Sequence, residues 1–207
     1  MFVSFEGIDG CGKTTQLQRL AVWLRAQNRE VEVVTTREPG GTRLAESIRE
    51  SLLHGRDGVS PRAELLLFGA ARAQHTLEII RPALDRGAIV FSDRFSDSTL
   101  AYQGGGLDLD AAFIRALNAF ATEHLAPDLT FWFDVPLEIA LQRRGREKAD
   151  RIEARGMEFQ KRVQDSYAEL AANEPWRIAR IEAGGTPDEV FELVQGEWQN
   201  RVESKRP

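Results

Sequence analysis

The chain has 207 residues, 42% hydrophobic and 29% charged, with a formal net charge of −5. That length supports one well-buried domain, 1–207, rather than two independent cores, and the acidic balance argues against nucleic acid or an anionic membrane as partner. The longest apolar runs, such as Leu65-Leu66-Leu67-Phe68, fall far short of the roughly 18 residues of a membrane span; no secretory signal is visible and the single Cys11 excludes an internal disulfide, so a cytoplasmic location is expected.

The first apolar run, Phe2-Val3-Ser4-Phe5, reads as a strand and leads directly into Gly7-Ile8-Asp9-Gly10-Cys11-Gly12-Lys13-Thr14, an uninterrupted G-x-x-x-x-G-K-T. The glycines allow backbone angles that turn several N–H groups toward a phosphate, Lys13 reaches the outer phosphates, and the Thr14 hydroxyl suits Mg²⁺. Leu17, Leu20, Ala21 and Leu24 have helical spacing, so the phosphate also meets a helix N-terminus. Nucleoside triphosphate binding follows. Cys11 sits beside that helix start, a position that favours a lowered thiol pKa, but filling a small position in the loop is the expected role.

Val31 to Thr35 reads as a β-branched strand ending in the loop Thr36 to Thr42, where Arg37 is either a site residue or a solvated arginine in a Pro-Gly-Gly turn. A helix through Leu44, Ile48 and Leu52 precedes the loop at 54–59. Ser60-Pro61 then caps a long helix through Ile79, expected to end or kink near Pro82. Phe68 and Arg72 lie on one face of it, as packing plus a surface charge or as an aromatic plane beside a donor fork. Ala88 to Phe91 reads as a buried central strand whose end carries Asp93, an acid placed to hold Mg²⁺ directly or through water.

Phe95 to Gln103 leads to Gly104-Gly105-Gly106, read as a flexible break before a helix through Phe113, Leu117 and Phe120. The strand Leu129 to Asp134 and a helix from Pro136 follow, then the charged run 142–151, which is either a solvated helix face or a flap whose arginines close over a phosphoryl group. A helix with Phe159, Val163 and Tyr167, a last strand Ile178 to Ile181, and a capping box at Thr186 to Glu189 complete the chain. The β/α alternation predicts an α/β fold, a doubly wound parallel sheet of about five strands with loops 7–14, 36–42, 92–94 and 182–185 on one edge. His54, His75 and His124 lack metal-ligand spacing and are expected to be surface or packing residues.

The segments Phe5 to Gln16, Thr36 to Thr42, Asp93 to Gly104 and Asp150 to Glu153 closely resemble the bacterial thymidylate kinases, and the likeness runs over nearly the whole chain. The resemblance implies a P-loop nucleoside monophosphate kinase fold with a helical lid at about 136–156. It also implies a homodimer, and transfer of the ATP γ-phosphoryl to dTMP with Mg²⁺, in dTTP synthesis. ATP would lie on Gly7, Asp9, Gly10, Cys11, Gly12, Lys13, Thr14 and Thr15, with adenine at Glu182, Ala183 and Gly184. Phe68 would stack on thymine and Arg72 would bond its O4. Thr99 would meet the base edge, Tyr102 the deoxyribose, Pro39 the methyl pocket, with Ser98 and Gln103 alongside. Arg37 and Arg94 would hold the acceptor phosphate, Asp9 the 3′-hydroxyl, and Thr14, Asp9 and Asp93 the metal. Some family members carry arginine at the position of Gly10; here the resemblance implies that the catalytic charge comes from Lys13 and Arg94 with a lid arginine, Arg143, Arg144 or Arg146, together with Arg151. The competing readings are another nucleotide or nucleoside kinase, and a nucleotide-dependent switch.

Overall fold

In the computed structural model, which describes residues 1–54, 58–145 and 150–203, the apolar runs assemble into one sheet. Its strands are β1 (Phe2–Glu6), β2 (Val33–Arg37), β3 (Ile89–Asp93), β4 (Leu129–Asp134) and β5 (Ile178–Glu182), ordered β2-β3-β1-β4-β5. Every neighbouring pair is parallel, so each return needs a crossover and helices cover both faces. β2 runs two residues later than its β-branched stretch suggested, because its ladder with β3 extends to the Arg37–Asp93 pair.

The alternation of side chains divides the core in two. Phe5, Phe91, Phe131 and Phe133 gather on one face, with ring centroids 5.3–6.1 Å from Phe5. α1 (Lys13–Gln27) brings Leu17 and Leu20 to that core; Trp198, 5.8 Å from the Phe91 ring, ends the last helix and joins it. Burying each such side chain is worth about 1.5–3 kcal/mol. The opposite face holds a smaller cluster of Phe2, Ile80, Ala83, Val90 and Phe95. Towards the carboxyl end of β1 that face turns polar, with Ser4 bonded to Thr130 at 2.9 Å and Glu6 fully buried.

α2 (Arg43–His54) and α3 (Pro61–His75) follow β2, and the Ser60 hydroxyl caps α3 by accepting from the Ala63 N–H. The regular α-helix ends at His75, ahead of Pro82, near which an end or kink is expected. A π-helical turn, Thr76–Ile80, passes the chain into α4 (Arg81–Asp85), and Pro82 sits in its first turn, where no N–H is required. α5 (Ser96–Thr99) continues as a π-helical segment, Leu100–Gly106, that absorbs the three glycines. The expected flexible break is therefore a packed segment. α6 (Ala111–Thr122), α7 (Leu137–Arg144) and α8 (Met157–Asn173) follow, and α8 presses so closely on it that a Cβ at Gly105 would lie 2.5 Å from Ser166 Cβ, and one at Gly106 would overlap the Phe159 ring. α9 (Pro187–Trp198) opens with the expected capping box. No helix among the described residues is long and apolar enough to cross a membrane.

Candidate active site

At the carboxyl edge of the sheet the loops after β1 and β5, with the last turn of α7, frame a cleft of about 790 Å³. Gly10, Cys11, Gly12, Lys13, Thr14 and Thr15 line one side, Arg143, Gly185 and Pro187 the other. Gly7, Gly10 and Gly12 have φ of 140°, 85° and 90°, the left-handed backbone that turns the loop amides inward. A Cβ on Gly10 would overlap the Ala140 carbonyl oxygen of α7, and one on Gly7 would come 2.7 Å from Phe133 O. Gly10 thus leaves no space for any side chain, arginine included. Cys11 is 1% exposed and burial pushes its thiol up, against the pull of Lys13, so it is the inert filler of the loop.

Lys13 lies 3.3 Å from Asp9 Oδ1, and the same oxygen accepts from Arg94 Nη2 at 2.7 Å. Burial raises the Asp9 carboxyl, but Arg94 and Lys13 outweigh it and hold it well below the usual carboxylate range. Thr14 Oγ1 donates to Asp93 Oδ2 at the end of β3. Among the described residues no three His, Cys, Asp or Glu side chains form a self-sufficient cation site. A hydroxyl with one or two carboxylates, all oxygen donors, fits a Mg²⁺ that arrives with phosphates.

A second cavity, about 560 Å³, is lined by Asp9 and Arg94, and the Lys13–Asp9 pair links it to the first. Arg94 adopts φ 72°, which swings its side chain back to the P-loop. Its guanidinium donates to Gly7 O (2.8 Å), Asp9, Ser98 Oγ (3.2 Å) and Tyr102 OH (3.1 Å), and stacks 4.9 Å over the Tyr102 ring. Phe68, Arg72, Thr99, Gln103 and Pro39 also line the cavity. Arg72 is 2% exposed: Nε donates to Glu38, Nη1 to Thr99 and Asn118, and Nη2 to Phe95 O. Four of its five N–H groups are engaged, and one remains. Burial raises Glu38, but Arg72 and then His75 hold it below its ordinary value. His75, fully buried between Glu38 Oε1 (2.9 Å) and Thr36 Oγ1 (2.7 Å), is a packing residue, as expected. Gln103 donates its amide to Glu64 at 2.9 Å, which leaves its carbonyl oxygen as an acceptor.

Other expected residues are not brought together. Arg37 pairs with both oxygens of Glu46 at 2.9 Å, is 54% exposed and stands outside the second cavity. Arg49 lines that cavity instead, with Nη1 on Pro39 O at 3.0 Å. It lies four residues after buried Ala45 and three before buried Leu52, so a cation on the apolar stripe of α2 was the overlooked signal. Arg143 donates to the carbonyls of Ala183, Gly184 and Gly185, which turns the expected phosphoryl ligand into a brace between α7 and the loop after β5. Of that loop only Gly185 reaches the cleft; Glu182 ends β5 with an exposed side chain. Arg151 donates to Leu52 O and, at 2.6 Å, to Glu64, which Arg155 also pairs, so it faces α3 rather than the P-loop. Arg144 lies 3.8 Å from Glu153, and Arg146 falls outside the described residues.

Residues 5–194 match the family model described as Thymidylate kinase. A thymidylate kinase of Bifidobacterium longum subsp. infantis is 49% identical over 204 residues, covering 96% of this chain and 86% of that protein. One from Synechococcus sp. (strain CC9902) is 53% identical over 199 residues, 94% of each. The crystal structure of thymidylate kinase from Ehrlichia chaffeensis aligns with a TM-score of 0.82 at 38% identity, over 96% of this chain and 98% of that one.

Proposed function

The chain belongs to the thymidylate kinase family and is a nucleoside monophosphate kinase that phosphorylates dTMP; from that premise we propose that its two cavities hold the two nucleotides. ATP occupies the P-loop cleft with its phosphates on the loop amides and Lys13, and its purine near Gly185 and Arg143. Thr14, with Asp93 and Asp9, holds Mg²⁺, which when bound offsets charge on the β- and γ-phosphates.

In the second cavity Phe68 stacks on thymine, the remaining Arg72 N–H meets O4, and the Gln103 carbonyl accepts from the base N–H. Thr99 and Pro39 shape the base edge and methyl pocket, Tyr102 lies against the deoxyribose, and Asp9 takes its 3′-hydroxyl. Arg94, beside Ser98 and helped by Arg49, holds the 5′-phosphate. An oxygen of that phosphate attacks the γ-phosphorus in line, the bond to the β-phosphate oxygen breaks, and ADP leaves with Lys13 at its phosphates. The acceptor is already an anion, so no side chain has to remove a proton.

The observation that carries this reading is Asp9 Oδ1, shared by Lys13 and Arg94, which fixes the donor and acceptor cations on either side of one carboxylate. ADP release with dTMP, thymidine and the other nucleoside monophosphates tests it. Rapid turnover is expected with dTMP alone, and Arg94→Ala should lower it at least 100-fold. Equal turnover with thymidine, or an unimpaired Arg94→Ala, would overturn the assignment.

We also propose a homodimer in the cytoplasm, alongside its nucleotide substrates, joined through the adjacent outer faces of α3 and α6. Leu66 on α3 and Phe113 and Phe120 on α6 are 53%, 53% and 84% exposed, an apolar patch suited to self-association. Light scattering should give about twice the chain mass, and Phe120→Asp should return it to that of one chain.

A further inference from the structure

Glu6, the last residue of β1, is fully buried and lines neither cavity. Its Oε1 accepts from the Phe95 backbone N–H at 2.7 Å; its Oε2 accepts from Ser98 Oγ at 2.5 Å and Tyr167 OH at 2.9 Å. Two of these three donors belong to the turn that carries Arg94. The backbone of Arg94 is left-handed, a conformation that persists only when its surroundings over-determine it. Its N–H is held by Phe5 O at 3.0 Å and its C=O by Ser92 Oγ at 2.6 Å, while the next peptide N–H is held by Glu6. The Ser98 hydroxyl gives its proton to Glu6 and so keeps its lone pairs for Arg94 Nη1, 3.2 Å away.

The charged and titratable groups facing Glu6 are Asp97 on α5, Arg94 after β3 and Tyr167 on α8, with the Ser98 hydroxyl as a neutral donor. Asp97 is paired by Arg177 at 2.7 Å. Burial, and then Asp97, push the Glu6 carboxyl up to about 7 against Ser98, Arg94 and Tyr167. A carboxylate kept ionised there works against the fold, which directs attention to what it holds in place.

We propose that Glu6 is a positioning residue for the acceptor phosphate: its carboxylate fixes the turn from Arg94 to Ser98 and so sets where the Arg94 guanidinium meets the 5′-phosphate of dTMP. This rests on the functional reading above, in which Arg94 holds that phosphate. A residue that served only the fold would affect every ligand alike.

The test is calorimetric titration of the whole chain with dTMP and with thymidine, which lacks the phosphate. In Glu6→Gln the amide keeps an oxygen for Phe95 but turns a donor toward Ser98, whose oxygen is then drawn away from Arg94. We expect dTMP affinity to fall on the order of tenfold, thymidine affinity to stay within twofold, and the thermal midpoint to stay level or rise. Should Glu6→Gln fail to fold, Ser98→Ala, which cuts the link between carboxylate and guanidinium, carries the same expectation for the two ligands. Equal losses for both ligands, or no loss for dTMP, would overturn the inference while the functional reading stands. A wild-type chain that binds dTMP no better than thymidine would overturn both.

Discussion

Replacing Gly10 by alanine separates backbone strain from steric conflict, because Gly12 nearby supplies a matched control. Both residues lie at positive φ, 85° and 90°, and a left-handed alanine costs about 1–2 kcal/mol. At Gly12 that is the whole penalty, since a Cβ there meets no atom within 4 Å. At Gly10 the Cβ overlaps the Ala140 carbonyl oxygen and lies 2.9 Å from its carbon, so α7 and the P-loop must separate. Overpacking of this kind adds about 1–3 kcal/mol. At about 2–4 °C per kcal/mol for a chain of this size, Gly12→Ala should lower Tm by about 2–8 °C and Gly10→Ala by about 4–20 °C. A shift of about 1 Å between α7 and the loop should also reduce kcat/KM for ATP about 100-fold. Differential scanning fluorimetry and a coupled ADP assay measure both. Equal midpoints for the two variants, or a Gly10→Ala protein indistinguishable from wild type, would refute the reasoning.

Arg72→Ala leaves the Glu38 carboxylate, 5% exposed, with only His75 beside it, so it should cost about 3–5 kcal/mol in urea unfolding in addition to impaired dTMP binding. Glu6, at about 7 when folded against an ordinary 4.5, makes the folded chain hold more protons than the unfolded one between those values, so stability should fall as pH rises through that window. The difference is on the order of 3 kcal/mol; Tm against pH should slope downward from 4.5 to 7.5 in the wild type and flatten in Glu6→Gln. At lower pH the depressed Asp9 and Glu38 carboxylates reverse the slope, their contribution being lost as they protonate. Deoxyuridylate, lacking one methyl, should show kcat/KM about 10–200-fold below dTMP. Deoxycytidylate should fall further, because its amino group would face the last free donor of Arg72; comparable rates for the two would contradict that role.

The parts of the fold legible in the sequence were those encoded within a few residues. The P-loop, the buried strands, the caps at Ser60 and Thr186, and the shared face of Phe68 and Arg72 all follow from local spacing. What escaped was decided by partners distant in sequence or by competition for them. The glycine tract reads as a flexible break until α8 packs on it through Phe159 and Ser166, 53 and 61 residues from Gly106 and Gly105. Arg37 and Arg49 are equally basic on paper; only the Glu46 ion pair removes the first and leaves the second facing the cavity. Arg143 and Arg151 look alike in a charged run, yet one braces three carbonyls and the other joins Glu64. Glu6 offered no periodic or motif signal of its own, since its partners arrive from the turn after β3, from α5 and from α8.

The close packing of α8 on Gly105 and Gly106 bears on attempts to redesign the acceptor preference. Tyr102 and Gln103 belong to the same helical segment as those glycines, so their height above the cavity floor is set by Ser166 and Phe159. Trimming or enlarging those two α8 side chains should move the cavity wall as a unit without altering any residue that lines it. A mutant library aimed at bulkier thymidine analogues would therefore gain more from varying positions 159 and 166 together with 102 and 103 than from saturating the lining residues alone.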